Sequence, residues 1–174
     1  MRLIALSALL ALSAVPAAAQ TAHNSAAPID FGADHIELQD KANRAILTGS
    51  VSVRQAEMTL NAARMTVAYT GQVVNGAPQV SRLDAAGSVV VTRPDQIARS
   101  QFAVYDLNKR LITMLGGVSL LQHGNTVNGG RLTINLDTGR AVIDGAAVGG
   151  GESAGTTTSK SGRVTGTFSV PKRN

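Results

Sequence analysis

The sequence contains no cysteine and no tryptophan, and only three Phe, two Tyr and five Pro. Without cysteine, no disulfide staples the fold and no thiolate is available as nucleophile or metal ligand. An exported chain of this kind must be held by its core and its backbone ladders alone, which suits a bacterial periplasm. The scarcity of aromatics leaves a smooth core of Val, Leu, Ile, Ala and Met. It also removes the stacking platforms that a single-stranded nucleic-acid site or a sugar site relies on. Outside residues 3–15, no stretch approaches the roughly 20 apolar residues of a membrane-spanning helix.

The formal net charge is +5, but it is unevenly placed. Residues 29–148 carry eleven Lys and Arg against ten Asp and Glu, whereas residues 149–174 carry Lys160, Arg163, Lys172 and Arg173 against Glu152. The basicity is therefore largely a property of the tail, not of a patch on the body, and nucleic acid is excluded as a partner. Residues 1–19 have the form of a secretory signal peptide. Arg2 supplies the positive start, residues 3–15 the apolar run, and Ala17-Ala18-Ala19 the small-residue cleavage site near Ala19. The expected location is the periplasm. Residues 20–28 are expected to be a linker, 29–148 one β domain, and 149–174 a disordered Gly/Ser/Thr-rich basic tail. Residues 164–170 alternate faintly and could add a strand to a partner.

Catalytic chemistry finds little to work with. His23, His35 and His123 lack metal-ligand spacing, and each is expected on the solvated surface. Asp34 and Glu37 lie three apart on an expected strand, hence on opposite faces, which is poor geometry for a carboxylate pair. Gly87-Ser88-Val89 is not a nucleophile elbow. Gly129-Gly130 sits between strands and offers no helix amino terminus to a phosphate. The reading is of a protein that is not an enzyme and has no metal or cofactor.

What the sequence does contain is a repeat. Three copies open Gly49-Ser50-Val51, Gly87-Ser88-Val89 and Gly116-Gly117-Val118, each followed two places on by Val53, Val91 or Leu120. After a polar turn comes one apolar residue, Leu60, Ile97 or Val127. Beyond it lie the pairs Met65 and Val67, Phe102 and Val104, and Leu132 and Ile134. Pairs two apart belong to strands, since alternate side chains share a face. The step of five from Leu60 to Met65 breaks that parity, and so do its two counterparts. A bulge or corner is therefore expected near residues 61–64, 98–101 and 128–131. The predicted fold class is all-β, built from repeated antiparallel strand-turn-strand units, with Val51, Val53, Leu60, Met65, Val67, Val89, Val91, Phe102, Val104, Val118, Leu120, Leu132 and Ile134 sharing one interior face. Residues 71–80, with Asn75-Gly76 and Pro78, form a longer loop between the first two copies. Periodicity alone fits an ordinary sandwich core as well as a trough.

Residues 45–53 (AILTGSVSV), 64–69 (RMTVAY), 86–91 (AGSVVV), 104–108 (VYDLN), 111–118 (LITMLGGV) and 130–141 (GRLTINLDTGRA) follow one another across nearly the whole body. In order and repetition they resemble the lipopolysaccharide transport protein A family (LptA, OstA-like domain). The resemblance implies an open, V-shaped antiparallel β-jelly-roll. It implies subunits stacked end to end as a bridge across the periplasm, with lipopolysaccharide moving along a shared apolar groove. On that reading the thirteen interior residues named above line a lipid groove for the acyl chains of lipid A. The short first and last strands, Ile36, Glu37 and Leu38 at one end and Ala141, Val142 and Ile143 at the other, would pair with inner-membrane-anchored and outer-membrane transport partners and with further copies, head to tail. Two rival functions are a structural or adhesive β-repeat protein that carries no lipid, and a polysaccharide-acting enzyme. The second lacks its paired acids and its aromatic platform.

Overall fold

The computed structural model describes residues 23–70, 79–145 and 164–167. The expected signal peptide, most of the 71–80 loop and most of the 149–174 tail lie outside the described residues. A single antiparallel sheet accounts for nearly everything else. Its strands are β1 (Ile29–Gly32), β2 (His35–Gln39), β3 (Arg44–Gln55), β4 (Met58–Thr70), β5 (Gln79–Arg93), β6 (Gln96–Asp106), β7 (Leu111–Gln122), β8 (Asn125–Asn135), β9 (Ala141–Asp144) and β10 (Thr165–Thr167). Among the described residues there is no α-helix; one 3₁₀ turn, Asp40–Ala42, links β2 to β3. The six long strands pair in sequence order from β3 to β8. At each flank two short strands share one neighbour, β1 and β2 on β3, and β9 and β10 on β8.

Every long strand is creased. The register slips between Thr48 and Val51, Asn61 and Arg64, Ala86 and Val89, Arg99 and Phe102, and Leu115 and Val118. The slips line up across the sheet and divide it into two leaves. On β3, β5 and β7 the crease is made by two successive residues of positive φ: Gly49 and Ser50 (76° and 45°), Gly87 and Ser88 (83° and 48°), Gly116 and Gly117 (83° and 67°). Left-handed backbone is cheap for glycine and unfavourable for other residues, which is why each repeat opens on Gly. At Gly87 space is limiting as well, since a Cβ there would lie 2.9 Å from that of Ala63 on β4. On β4, β6 and β8 the crease falls where the step of five placed a corner. The strands bend through it without ending, so each repeat is two continuous strands and a turn.

The creased sheet folds its inward faces together. Leu47, Met65, Leu83, Ile112, Met114, Leu132 and Ile134 from the first leaf meet Val51, Val53, Leu60, Val89, Val91 and Val118 from the second in one aliphatic core. Burying each such side chain contributes roughly 1.5–3 kcal/mol. The flanking strands divide between the leaves. β2 and β9 extend the first leaf, against residues 44–48 and 131–134, and β1 and β10 extend the second, against residues 52–55 and 126–128.

Two expectations change here. Ile36–Leu38 is not the first strand, because β1 precedes it and lies on the same neighbour. Part of the tail is ordered: Thr165, Gly166 and Thr167 pair with Asn128, Val127 and Thr126 of their own chain, not with a partner. Gly166 permits that approach, since a Cβ there would lie 2.9 Å from the Thr126 carbonyl oxygen.

Candidate functional site

The interior is the one place where the repeat concentrates its side chains. Val51, Val53, Leu60, Met65, Val67, Val89, Val91, Val118, Leu120, Leu132 and Ile134 are all buried in it. Phe102 and Val104 are not. On β6 the inward positions are Ala98, Ser100, Ala103 and Tyr105. Phe102, 54% exposed, and the half-buried Val104 lie on the opposite face. The step of five survives on β6, from Ala98 to Ala103, displaced by one residue. The spacing that leads from Gly49 to Leu60 and from Gly116 to Val127 leads from Gly87 to Ala98, not to Ile97. Spacing carries the register, and the larger apolar residue was a false guide.

The inward face does not stop at the last long strand. Directly opposed residues of an antiparallel pair share a face. Phe31 opposes the inward Val53, Ile36 opposes Leu47, and Leu38 opposes Ala45. All three project toward the interior from edge strands that, among the described residues, pair only with β3, and they are 54%, 42% and 59% exposed. They form an apolar lip along the β1–β2 edge. At the other edge Ala141 and Ile143 face inward, opposite Ile134 and Leu132, and pack partly buried against the core. Val142 faces outward and is exposed, and Glu37, opposite Ile46, likewise faces outward on β2. Gly129 lets β9 close over β8, because a Cβ there would collide with Ile143 Cγ2.

A polar cluster that the sequence did not signal joins the two leaves. Tyr105 Oη, on the first leaf, donates to Gln55 Oε1 on the second at 2.7 Å. His23 Nε2 lies 3.3 Å from the same oxygen. Gln55 Nε2 donates to the carbonyls of Ser25 (2.9 Å) and Ala27 (3.1 Å). The stretch expected to be a linker is thus stitched across the interior, and His23 is buried, not solvated. Burial holds the Tyr105 phenol neutral and pushes its pKa up to about 12, against smaller opposing effects of hydrogen bonding and the Arg110 charge. His35 and His123 are exposed as expected. No group of acidic residues and histidines able to hold a metal ion occurs among the described residues.

A creased antiparallel sheet with an aliphatic inner face and uncovered edges defines an open β-jelly-roll. Residues 31–140 match the family described as LptA/(LptD N-terminal domain) LPS transport protein, and the chain belongs to that family. An uncharacterized protein of Rhizobium meliloti (strain 1021) is 32% identical over 121 residues, which span 67% of this chain and 65% of that protein. The chain therefore spans about two-thirds of the length of that relative. Among solved structures, the chain is similar to LptH of Pseudomonas aeruginosa, the LptA-homologous periplasmic component of the conserved lipopolysaccharide transport device. The TM-score is 0.65 at 19% identity, covering 84% of this chain and 99% of that one. At that identity the likeness is one of fold.

Proposed function

We propose that the protein is a periplasmic component of a lipopolysaccharide bridge. It takes acyl chains into its aliphatic interior and passes lipopolysaccharide from the inner toward the outer membrane through edge-to-edge stacking with transport partners and copies of itself. The observation that carries this reading is the lip. Phe31, Ile36 and Leu38 continue the inward face to an edge that no further described strand pairs with, where an isolated sandwich would bury or replace them. An amphiphile or an adjoining subunit gives these side chains the apolar neighbour they lack. Acyl chains suit such a surface because each methylene moved out of water contributes roughly 0.8 kcal/mol.

The close packing of the interior favours a second reading, a structural module that associates through its edges and carries no lipid. Leu47, Met65, Ile112, Leu132 and Ile134 are fully buried by protein alone, so acyl chains can enter only if the leaves part. A photoreactive residue at Leu38, with one at the outward Phe102 as control, separates the two in cells. Lipopolysaccharide crosslinked from Leu38 and not from Phe102 is the expected result. Protein-only crosslinks from Leu38 would favour the second reading.

A further inference from the structure

On the second leaf the inward face changes character toward the turns. From crease to turn, β3 presents Val51, Val53 and then Gln55, β5 presents Val89, Val91 and then Arg93, and β7 presents Val118, Leu120 and then Gln122. The returning strands begin on the same row with Met58, Gln96 and Asn125. The interior is thus aliphatic behind and mostly polar along one rim. At the Gln55 end, each side-chain atom of that amide has a partner, as described above. In the middle of the row the situation differs. Arg93 and Gln96 oppose each other across the β5–β6 hairpin and are 9% and 4% exposed. Arg93 Nη1 and Gln96 Oε1 are buried without a hydrogen-bond partner among the described residues. The ion pairs among those residues are Arg82–Asp84, Lys109–Asp106 and Arg110–Asp137, so Asp95, in the turn between Arg93 and Gln96, forms no ion pair with the guanidinium.

A buried guanidinium nitrogen without a partner is costly, and such groups are ordinarily paired. We infer that the rim centred on Arg93 and Gln96 binds the phosphate of an anionic amphiphile whose acyl chains occupy the aliphatic face behind it. The assignment rests on the lipid-carrying reading above and names the part of the ligand that the rim recognises. Arginine's planar fork matches phosphate oxygens two at a time. Turning the Gln96 amide brings its Nε2 donors to the same place, and Gln122, opposite Gln96 on the row, can add another donor. The alternative is mutual satisfaction: a small rotation lets Arg93 donate to Gln96 Oε1, and the rim then needs no ligand.

Titration calorimetry on the purified protein with three probes distinguishes these. The probes are a bisphosphorylated, six-chain acylated disaccharide lipid, the same lipid without its phosphates, and inorganic phosphate. The expected preference for the phosphorylated lipid is tenfold or more, on the order of one charge-assisted hydrogen-bond pair. Arg93→Met should erase the preference while leaving affinity for the dephosphorylated lipid unchanged, and Arg93→Lys should keep part of it. Circular dichroism checks the fold of each variant. If Arg93→Met does not fold, the comparison of the two lipids on the unaltered protein still decides. Equal affinity for both lipids overturns the phosphate site and leaves the lipid-carrying reading standing, as mutual satisfaction would. Failure of both lipids to bind overturns that reading and the headgroup assignment with it. Arg93-dependent binding of inorganic phosphate alone would then identify a free-anion site, not a lipid one.

Discussion

Tyr105 and Gln55 meet across the interior, the phenol donating to the amide oxygen at 2.7 Å. The contact ties β6 of one leaf to β3 of the other, and through Gln55 it fastens residues 23–27 over the same end. Removing the amide leaves a buried phenol and two carbonyls without their partner. Gln55→Leu is expected to destabilise by about 2–3 kcal/mol, and Tyr105→Phe by about 1 kcal/mol, since unsatisfied buried groups cost more than one lost bond. Urea unfolding measures both. A Gln55→Leu variant as stable as the parent would mean that the stitch contributes nothing.

The same tyrosine sets an alkaline limit. Burial raises its folded pKa to about 12, above the ordinary value of 10.0. Below pH 10 the phenol is neutral in both folded and unfolded chains, and its contribution to stability is fully present. Between 10 and 12 the unfolded chain loses the proton first, so stability falls by at most about 1.4 kcal/mol per pH unit. Tyr69, the only other tyrosine, is also shifted upward, by burial first and then by its contact with Asp40. With no tryptophan to interfere, ultraviolet absorbance of the folded protein should show the Tyr105 phenolate step near pH 12 and not near pH 10. Tyr105→Phe should delete the step near pH 12. A full two-tyrosine step at pH 10 would contradict the buried position of Tyr105.

At the crease the repeat makes its own comparison. Gly116 is followed by Gly117, whereas Gly49 and Gly87 are followed by Ser50 and Ser88, which adopt the same left-handed backbone without glycine's freedom. Ser88→Gly should therefore be neutral or stabilising by up to about 1 kcal/mol, relief of strain outweighing lost chain entropy. Gly87→Ala combines positive φ with the Ala63 contact and should cost about 2–3 kcal/mol. Gly117→Ala, with no heavy atom within 4 Å of the new methyl, should cost about 1 kcal/mol. Thermal unfolding of the three variants tests the order. Equal losses for Gly87→Ala and Gly117→Ala would remove the packing part of the explanation.

The crease was legible because it breaks a parity that strands otherwise keep. The step from Leu60 to Met65 has no strand solution without a bulge, and the register does slip there. The glycine openings marked the other half of each fold line. The phase of β6 was not legible from hydrophobicity, because three of its inward residues, Ala98, Ser100 and Ala103, are small, whereas the larger apolar Ile97 and Phe102 lie out of phase with them. Fixed spacing from Gly87 held the correct answer. The His23–Gln55–Tyr105 cluster left no local trace, since its members are far apart in sequence and hydrogen bonding imposes no periodicity. β1 was missed for a related reason: four residues, with Phe31 exposed, carry too little pattern. The lip could be sensed only once the opposition of Phe31, Ile36 and Leu38 to inward residues of β3 was known.

With Phe102 outside, the substitution that tests the lipid path moves to the lip. A charge at Ile134 or Met65 would be buried outright and should unfold the protein. Leu38→Asp, at a position 59% exposed, should fold with near-parental stability and weaken lipopolysaccharide binding severalfold. Phe102→Asp should leave binding unchanged. Paired binding assays decide: loss in the Phe102 variant and none in the Leu38 variant would place the path on the outer face.

The edges themselves are open to pairing. β1 and β2 on one flank, β9 and β10 on the other, each have one strand neighbour among the described residues, and exposed backbone edges invite strand addition. No proline lies inside any of the four. A contact between β9 of one copy and β2 of the next joins unlike surfaces, so it propagates as a filament and need not close. It would also place the lip of one copy, Ile36 and Leu38, beside the inward Ala141 and Ile143 of its neighbour, continuing the apolar face from subunit to subunit. Because backbone groups carry such a contact, proline should harm it far more than side-chain truncation. Val142→Pro should lower self-association at least tenfold, a loss of one to two backbone bonds and the local strand geometry. Val142→Ala should leave self-association within twofold of the parent. β10 occupies the second-leaf part of the same flank, so shortening the chain before residue 164 should not weaken association. Sedimentation velocity over a concentration series measures all three. A parent protein that stays monomeric at the highest concentration, with no crosslink from positions 141–143 to any partner in cells, would overturn the bridge.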